Sequence, residues 1–216
     1  MSGGAAPTQP ALALFDFDGT LTESESFPAF LRMVVPASRL RWGGALAAPL
    51  VLGYRVGWLS GNTVRAAILR IAARGLDAVA VAEAGERHAR EVVPATLRPR
   101  MLARLRWHRE RGDEVAVVSG TFDLCILAWC DTEGVALLAS ALEQRAGRLT
   151  GRYARAQCAG AEKVRRIRER FDLSAYPRIF AYGDTVEDLP MLALADEAMY
   201  RRAPWPQRPP GAPVAG

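Results

Sequence analysis

Residues 11 to 22 read Ala-Leu-Ala-Leu-Phe-Asp-Phe-Asp-Gly-Thr-Leu-Thr. A short continuous apolar run ends in two aspartates one residue apart and a Gly-Thr turn. Such a run, bounded by a turn signal and too short for a helix, reads as a buried strand over residues 11–18. Three further runs have the same texture: 113–119 (DEVAVVS), 135–139 and 178–182 (RIFAY). Helical segments separate them. Residues 94–111 carry Leu97, Met101, Leu102 and Leu105 on one face and are closed by Gly112. Residues 122–133, 161–171 and 189–195 also read as helices, and 142–153 as a hairpin around Ala146-Gly147. Strands alternating with helices predict an α/β fold built on a Rossmann-like parallel sheet.

Residues 25–94 interrupt that alternation. They are rich in Ala, Leu and Arg, broken at Pro28, Pro36, Gly43-Gly44, Pro49 and Gly57, and show no strand pattern. The expectation is an inserted α-helical cap over 25–94, with the catalytic core formed by 11–24 and 95–203. Residues 1–10 and 204–216 are expected to be loose ends.

In open α/β sheets, ligands gather beyond the carboxyl ends of the strands. Asp16 and Asp18 stand at the end of the first predicted strand, Ser119-Gly120 at the second, and Asp184, followed by Asp188, at the fourth. Four carboxylates in one place repel unless a hard divalent cation neutralises them. Magnesium, which takes a few carboxylate oxygens together with water and phosphate, fits that set. Ser119 and the amides after it suit phosphate oxygens, and Lys163, at the start of the helix before the fourth strand, adds a compact positive charge. A carboxylate facing a phosphoryl group so held is a competent nucleophile. A second carboxylate two residues on lies on the same side of an extended strand, placed for acid and base work.

FDFDGTLT (15–22), VVSG (117–120), Lys163 and GDTVEDLPML (183–192), in that order and spacing, resemble the four motifs of haloacid dehalogenase-like phosphohydrolases. The insertion after the first motif and the CAGAEK run (158–163) resemble the phosphoserine phosphatase-like branch with its helical cap. The resemblance implies that Asp16 is the nucleophile and Asp18 the general acid, then base. It implies that Ser119 and the Gly120 amide hold the phosphate and that Lys163 steadies the nucleophile. Asp184 would bind magnesium with Asp16 and the main-chain carbonyl of Asp18, with Asp188 supporting the metal from behind or directly. In that branch a glutamate nine residues after the nucleophile and a cap arginine grip an amino acid substrate. Glu25 has the offset, while Arg65 and Arg70 are only the nearest arginines. Trp42, Leu50, Tyr54, Trp58 and Leu59 read as cap core, or alternatively as an apolar sleeve for a lipid-like or aromatic phosphate, or a membrane-surface patch.

Composition narrows the rest. Half of the 216 residues are apolar and 24% are charged with mixed sign, which excludes general disorder. The uncharged run between Arg41 and Arg55 is too short to cross a bilayer, which takes roughly 20 residues. Residues 1–10 lack the pattern of a secretory signal. Three cysteines without a C-x-x-C pair argue against a disulfide framework or a zinc site, and a reducing cytoplasm is the simplest setting. His88 and His108, far apart in Arg-rich helical stretches, are expected at the surface.

Of 28 basic residues only Lys163 is lysine. A coding bias toward arginine accounts for the other 27 and weakens any reading of them as a nucleic-acid surface, which also lacks interleaved aromatics. It does not account for the lysine. The expectation is therefore a magnesium-dependent phosphatase acting on a small phosphorylated substrate in the cytoplasm, with no nucleic-acid partner. A phosphotransferase or phosphomutase using the same residues is the alternative, and a non-catalytic anion-binding module the remotest one.

Overall fold

The computed structural model describes residues 9–204. The expected loose ends fall almost entirely outside the described residues. Strand β1 (Leu12–Phe15) lies in the middle of a six-stranded sheet, between β2 (Glu114–Phe122) and β6 (Ile179–Gly183), and parallel to both. Outside β2 runs β3 (Ala136–Ser140), and outside β6 run β7 (Glu197–Tyr200) and the short β8 (Ala203–Pro204). The order is β3-β2-β1-β6-β7-β8, parallel throughout except for β8, which returns antiparallel along β7. The sheet is therefore mixed at one edge, and β7 and β8 were not expected from the sequence.

All four residues of β1 are fully buried, and their alternation divides the core in two. Leu12 and Leu14 face Ile167, Phe171 and Met191, brought by α8 (Ala161–Arg170) and α9 (Leu189–Leu192). Ala13 and Phe15 face the other side, where α6 (Pro99–Glu110) and α7 (Leu127–Glu133) pack. On that side the residues between β1 and β2 form α1 (Ser26–Val34), α2 (Ala37–Arg55), α3 (Gly61–Ala72), α4 (Ala78–Arg87) and the single turn α5 (Val93–Thr96). Phe30, Leu69, Ala73 and Val81 from these helices join the same core as Phe15 and Phe122.

The predicted 94–111 helix is broken in two. Proline disfavours helical backbone in the residue before it, and Arg98, before Pro99, is extended at ψ 116°. Leu97 bridges to Thr22, and the Arg98 amide donates to the Leu21 carbonyl at 2.7 Å. The predicted hairpin forms as β4 (Leu142–Arg145) and β5 (Arg148–Tyr153), with Ala146 and Gly147 both at positive φ, as a two-residue turn requires. It does not join the main sheet. The Leu149 amide donates to the Leu76 carbonyl at 2.9 Å and the Gly75 amide to the Leu149 carbonyl at 2.8 Å, so the hairpin is tied to the inserted helices.

The two histidines are not at the surface. His108 is fully buried and His88 nearly so. His108 Nδ1 lies 2.7 Å from Asp113 Oδ2 and Nε2 lies 2.9 Å from the Tyr182 hydroxyl, while Asp113 Oδ1 accepts the Ala11 amide. The arginines around His108 point outward from a helix whose inner face also carries Leu105, three residues earlier. That i, i+3 spacing was the signal for burial.

Candidate active site

The wide turn after β1 sets the site. The Asp16 amide donates to the Tyr182 carbonyl at 2.9 Å, which continues the β1–β6 pairing through the residue that bears the carboxylate. Gly19, at φ 81°, then reverses the chain toward Asp184. A Cβ on Gly19 would lie 2.2 Å from Asp184 Oδ2, so only glycine leaves room for that carboxylate. The Arg98 guanidinium pins the turn from outside, its Nε donating to the carbonyls of Gly19 and Thr22 at 3.1 and 3.0 Å.

Lys163, 2% exposed, extends from the first turn of α8 between two carboxylates. Its Nζ is 2.6 Å from Asp16 Oδ1 and 2.6 Å from Asp188 Oδ1. Burial works against its charge, but the two carboxylates hold it above the ordinary lysine value. Burial pushes the Asp16 carboxyl up; the Lys163 ammonium pulls it back down and the Asp188 charge adds to the rise. Asp188 is also buried, yet Lys163 and the amides of Thr185 and Asp184 keep it below the usual carboxylate range.

Asp188 Oδ2 accepts from the Asp184 amide, the Thr185 amide and the Thr185 hydroxyl, at 3.0, 2.9 and 3.0 Å. It makes no capping bond to α9, which it directly precedes. Its hydrogen bonds instead fix the loop that carries Asp184. Burial and the Asp188 charge push the Asp184 carboxyl up, while Thr20 Oγ1 donates to its Oδ1 at 3.2 Å.

Carboxylate oxygens of Asp16, Asp184 and Asp188 lie within 4.8 Å of one another. Three carboxylates and one ammonium leave two negative charges uncompensated if all are ionised. All donors are oxygen. The set therefore fits a hard divalent cation, and a candidate metal site is present. Asp18 is not in this cluster: its side chain turns aside to accept from the Ser26 hydroxyl at 2.6 Å and the Ser26 amide at 3.1 Å. Burial pushes its pKa up to about 6 despite those two bonds.

These groups line a cavity of about 300 Å³ that also takes in Ser119, Gly120, Glu25 and Arg65. Every residue singled out at the strand ends thus reaches one cavity. Arg65 is there too, on α3, with its guanidinium 3.7 Å from Glu187. Arg70 is elsewhere, its backbone against Gly151. Sequence reasoning missed Ser26 and assigned no role to Thr20 or Thr121, although both stand at the strand ends it singled out. Thr121 lines the cavity with a buried hydroxyl that has no partner among the described residues, a donor that a bound oxyanion would satisfy. The Ser119 hydroxyl accepts the Thr121 amide at 3.1 Å, which orients this short stretch toward the cavity.

The chain matches the haloacid dehalogenase-like hydrolase family over residues 13–193. It belongs to that family. The match spans the whole sheet through β6 together with the inserted helices, and the core architecture with its acidic, lysine-bearing cavity supports enzymatic phosphatase activity. Among curated relatives, Protein CicA of Caulobacter vibrioides is 33% identical over 195 residues, covering 89% of this chain and 86% of its own. Among solved structures, a protein of unknown function from Bordetella pertussis Tohama I superposes with a TM-score of 0.68 at 24% identity, covering 88% of this chain and 89% of its own. A substrate-bound phosphoserine phosphatase superposes with a TM-score of 0.58 at 21% identity, covering 89% of this chain and 86% of its own. These structural likenesses show a shared fold, an α/β core with inserted helices.

Proposed function

We propose that this family member is a magnesium-dependent phosphomonoester hydrolase working through an aspartyl-phosphate on Asp16. The observation that carries the reading is the pairing of Asp16 with a buried Lys163 at 2.6 Å, next to a second carboxylate, Asp18, that is held apart from the metal cluster. The two aspartates occupy different environments and so suit different tasks.

Asp16, Asp184 and the main-chain carbonyl of Asp18 would hold magnesium, with Asp188 behind them, and the ion would supply charge neutralisation for the phosphoryl oxygens. Ser119, the Gly120 amide and Thr121 would grip the phosphate. The free oxygen of Asp16 attacks phosphorus while the bond to the ester oxygen breaks, and Asp18 gives its proton to that oxygen. An alcohol leaves. Asp18, now ionised, takes a proton from a water molecule that attacks the aspartyl-phosphate, releasing inorganic phosphate and restoring Asp16. Lys163 compensates Asp16 before and after the acyl-phosphate bond forms. The inserted helices over residues 25–94 serve as a cap that screens this exchange from bulk water.

Glu25 and Arg65, of opposite charge on the same cavity wall, favour a leaving group that carries its own charges, such as a phosphorylated amino acid. The test is phosphate release with magnesium from a panel running from phosphoserine through sugar phosphates to lysophospholipids. Free phosphate from at least one substrate, abolished in Asp16→Asn, is expected. Full turnover by Asp16→Asn would overturn the mechanism, and a phosphorylated organic acceptor in place of free phosphate would make the enzyme a transferase.

A further inference from the structure

Helix α2 has a sequence that its surroundings do not match. Residues 42–54 carry no charge, and a helix apolar on every side belongs inside a protein. Its inner face is packed. Ala47 is buried, and Gly43 comes so close to α3 that an added Cβ would lie 3.3 Å from Ile71 Cγ2. Its outer face is bare. Positions 42, 45, 46, 49, 52 and 56 fall in one stripe about 120° wide and about 20 Å long, and all six are apolar and exposed. Trp42 is 77% exposed, Leu46 68% and Leu52 62%, and Trp58 just beyond the helix is 85% exposed. Monomers rarely leave so large an apolar patch uncovered without a partner for it.

Charge selects the partner. Residues 26–76 hold seven arginines and no Asp or Glu. Arg41 and Arg55 bracket the stripe and are exposed. A second copy meeting this face about a two-fold axis would set arginines near arginines, with no carboxylate from the same segment to neutralise them. An anionic lipid surface satisfies both features at once: acyl chains take the apolar stripe, headgroups take the arginines, and tryptophans sit at the boundary between them. No helix among the described residues is long and apolar enough to cross a membrane. We infer that the outer face of α2 docks flat on an anionic bilayer surface. The inference goes beyond the proposed reaction and does not depend on it.

The test uses binding alone. Full-length protein is sedimented with phosphatidylcholine vesicles, with and without about 30% phosphatidylglycerol. The protein should pellet with the anionic vesicles and remain in solution with the neutral ones. The Trp42→Ser/Leu46→Ser/Leu52→Ser variant and the Arg41→Glu/Arg55→Glu variant should each bind at least about tenfold more weakly. These side chains are exposed, so thermal midpoints should stay at the wild-type value. Lipids brominated in the acyl chain should quench part of the wild-type tryptophan fluorescence, a readout that needs no variant. The inference fails if wild type stays in solution with anionic vesicles, if no quenching occurs, or if the triple variant pellets unchanged. A wild-type dimer that the triple variant converts to monomer would assign the face to a second copy instead.

Discussion

Replacing Lys163 by arginine keeps the charge and should still cripple turnover. The ammonium sits 2.6 Å from one oxygen of Asp16 and 2.6 Å from one of Asp188. A guanidinium is broader and planar and cannot place a single nitrogen in that gap. Neither carboxylate can retreat. Asp16 is held by the hydrogen bond that its main-chain N–H donates to the Tyr182 carbonyl, and Asp188 backs onto Gly183, where an added Cβ would lie 2.5 Å from the Asp188 Cβ. The larger side chain therefore overpacks the buried gap between the two carboxylates, costing about 1–3 kcal/mol of stability, and displaces the nucleophile by about 1 Å, a misplacement that costs on the order of 100-fold in rate. Lys163→Met removes the cation and leaves two buried carboxylates facing each other, a loss of about 3–5 kcal/mol. The assay is kcat on an aryl phosphate at saturating magnesium, with thermal unfolding in parallel. Lys163→Arg should remain folded with kcat down by about 100-fold or more, and Lys163→Met should lose both activity and stability. Wild-type kcat in folded Lys163→Arg would refute the argument that this gap requires an ammonium.

Three further outcomes are expected. Gly19→Ala must take up a positive φ and push on Asp184, whose Oδ2 would be 2.2 Å from the new Cβ; the magnesium concentration for half-maximal activity should rise about tenfold or more, given a local cost of at least 1–2 kcal/mol, and an unchanged midpoint in a magnesium titration would count against Asp184 as a ligand. Ser26→Ala removes a donor that favours ionised Asp18, so the pKa of about 6 should rise further. The alkaline limb of the kcat profile for an alkyl phosphate, where protonated acid is lost, should move up by about one pH unit, while a substrate with a good leaving group should show little change. His108 is held neutral, since burial lowers its pKa more than Asp113 raises it. The unfolded chain therefore takes the proton first: this contribution is complete above about pH 6.5 and is lost as pH falls below it, at up to about 1.4 kcal/mol per unit. Subtracting His108→Gln from wild type in urea melts between pH 7.5 and 5 cancels the site carboxylates, which both proteins share; a difference independent of pH would mean that folding does not shift His108, and one that grows in favour of wild type as pH falls would mean that the folded protein holds the proton.

What the sequence made legible follows the physics of each element. β1, β2 and β6 are continuous apolar runs with a polar group at one end, so both the strands and the residues they deliver could be read directly. β7 could not: Glu-Ala-Met-Tyr is four residues long, near an edge, and recruited by pairing with β6 rather than by its own pattern. The lone lysine could be placed by composition and motif spacing, but its second partner, Asp188, required the fold. Thr20 sits inside the FDFDGTLT motif and Thr121 directly after VVSG, but neither position tells what its hydroxyl meets, and Ser26 carries no spacing signal at all. Thr20 acts across 164 residues on Asp184, and Ser26 acts on Asp18 only because α1 starts where the turn brings it back. The histidines were misplaced because dense arginines around them masked a short apolar periodicity. For α2 the pattern read as cap core was half right, since one face packs on α3 and the other packs on nothing among the described residues.

The ties between the hairpin and the loop after α3 bear on how this insertion could be transplanted or lost. The Leu149 amide donates to the Leu76 carbonyl, the Leu149 carbonyl accepts from the Gly75 amide, and Arg148 adds a bond to the Gly75 carbonyl. The inserted helices are therefore not a cassette that begins and ends at two cut points. A graft of residues 25–94 onto a related sheet would arrive without the strand that closes it, and a trimmed hairpin would leave the helices of the original protein open along that side. Moving the inserted helices intact would therefore take both stretches of chain together.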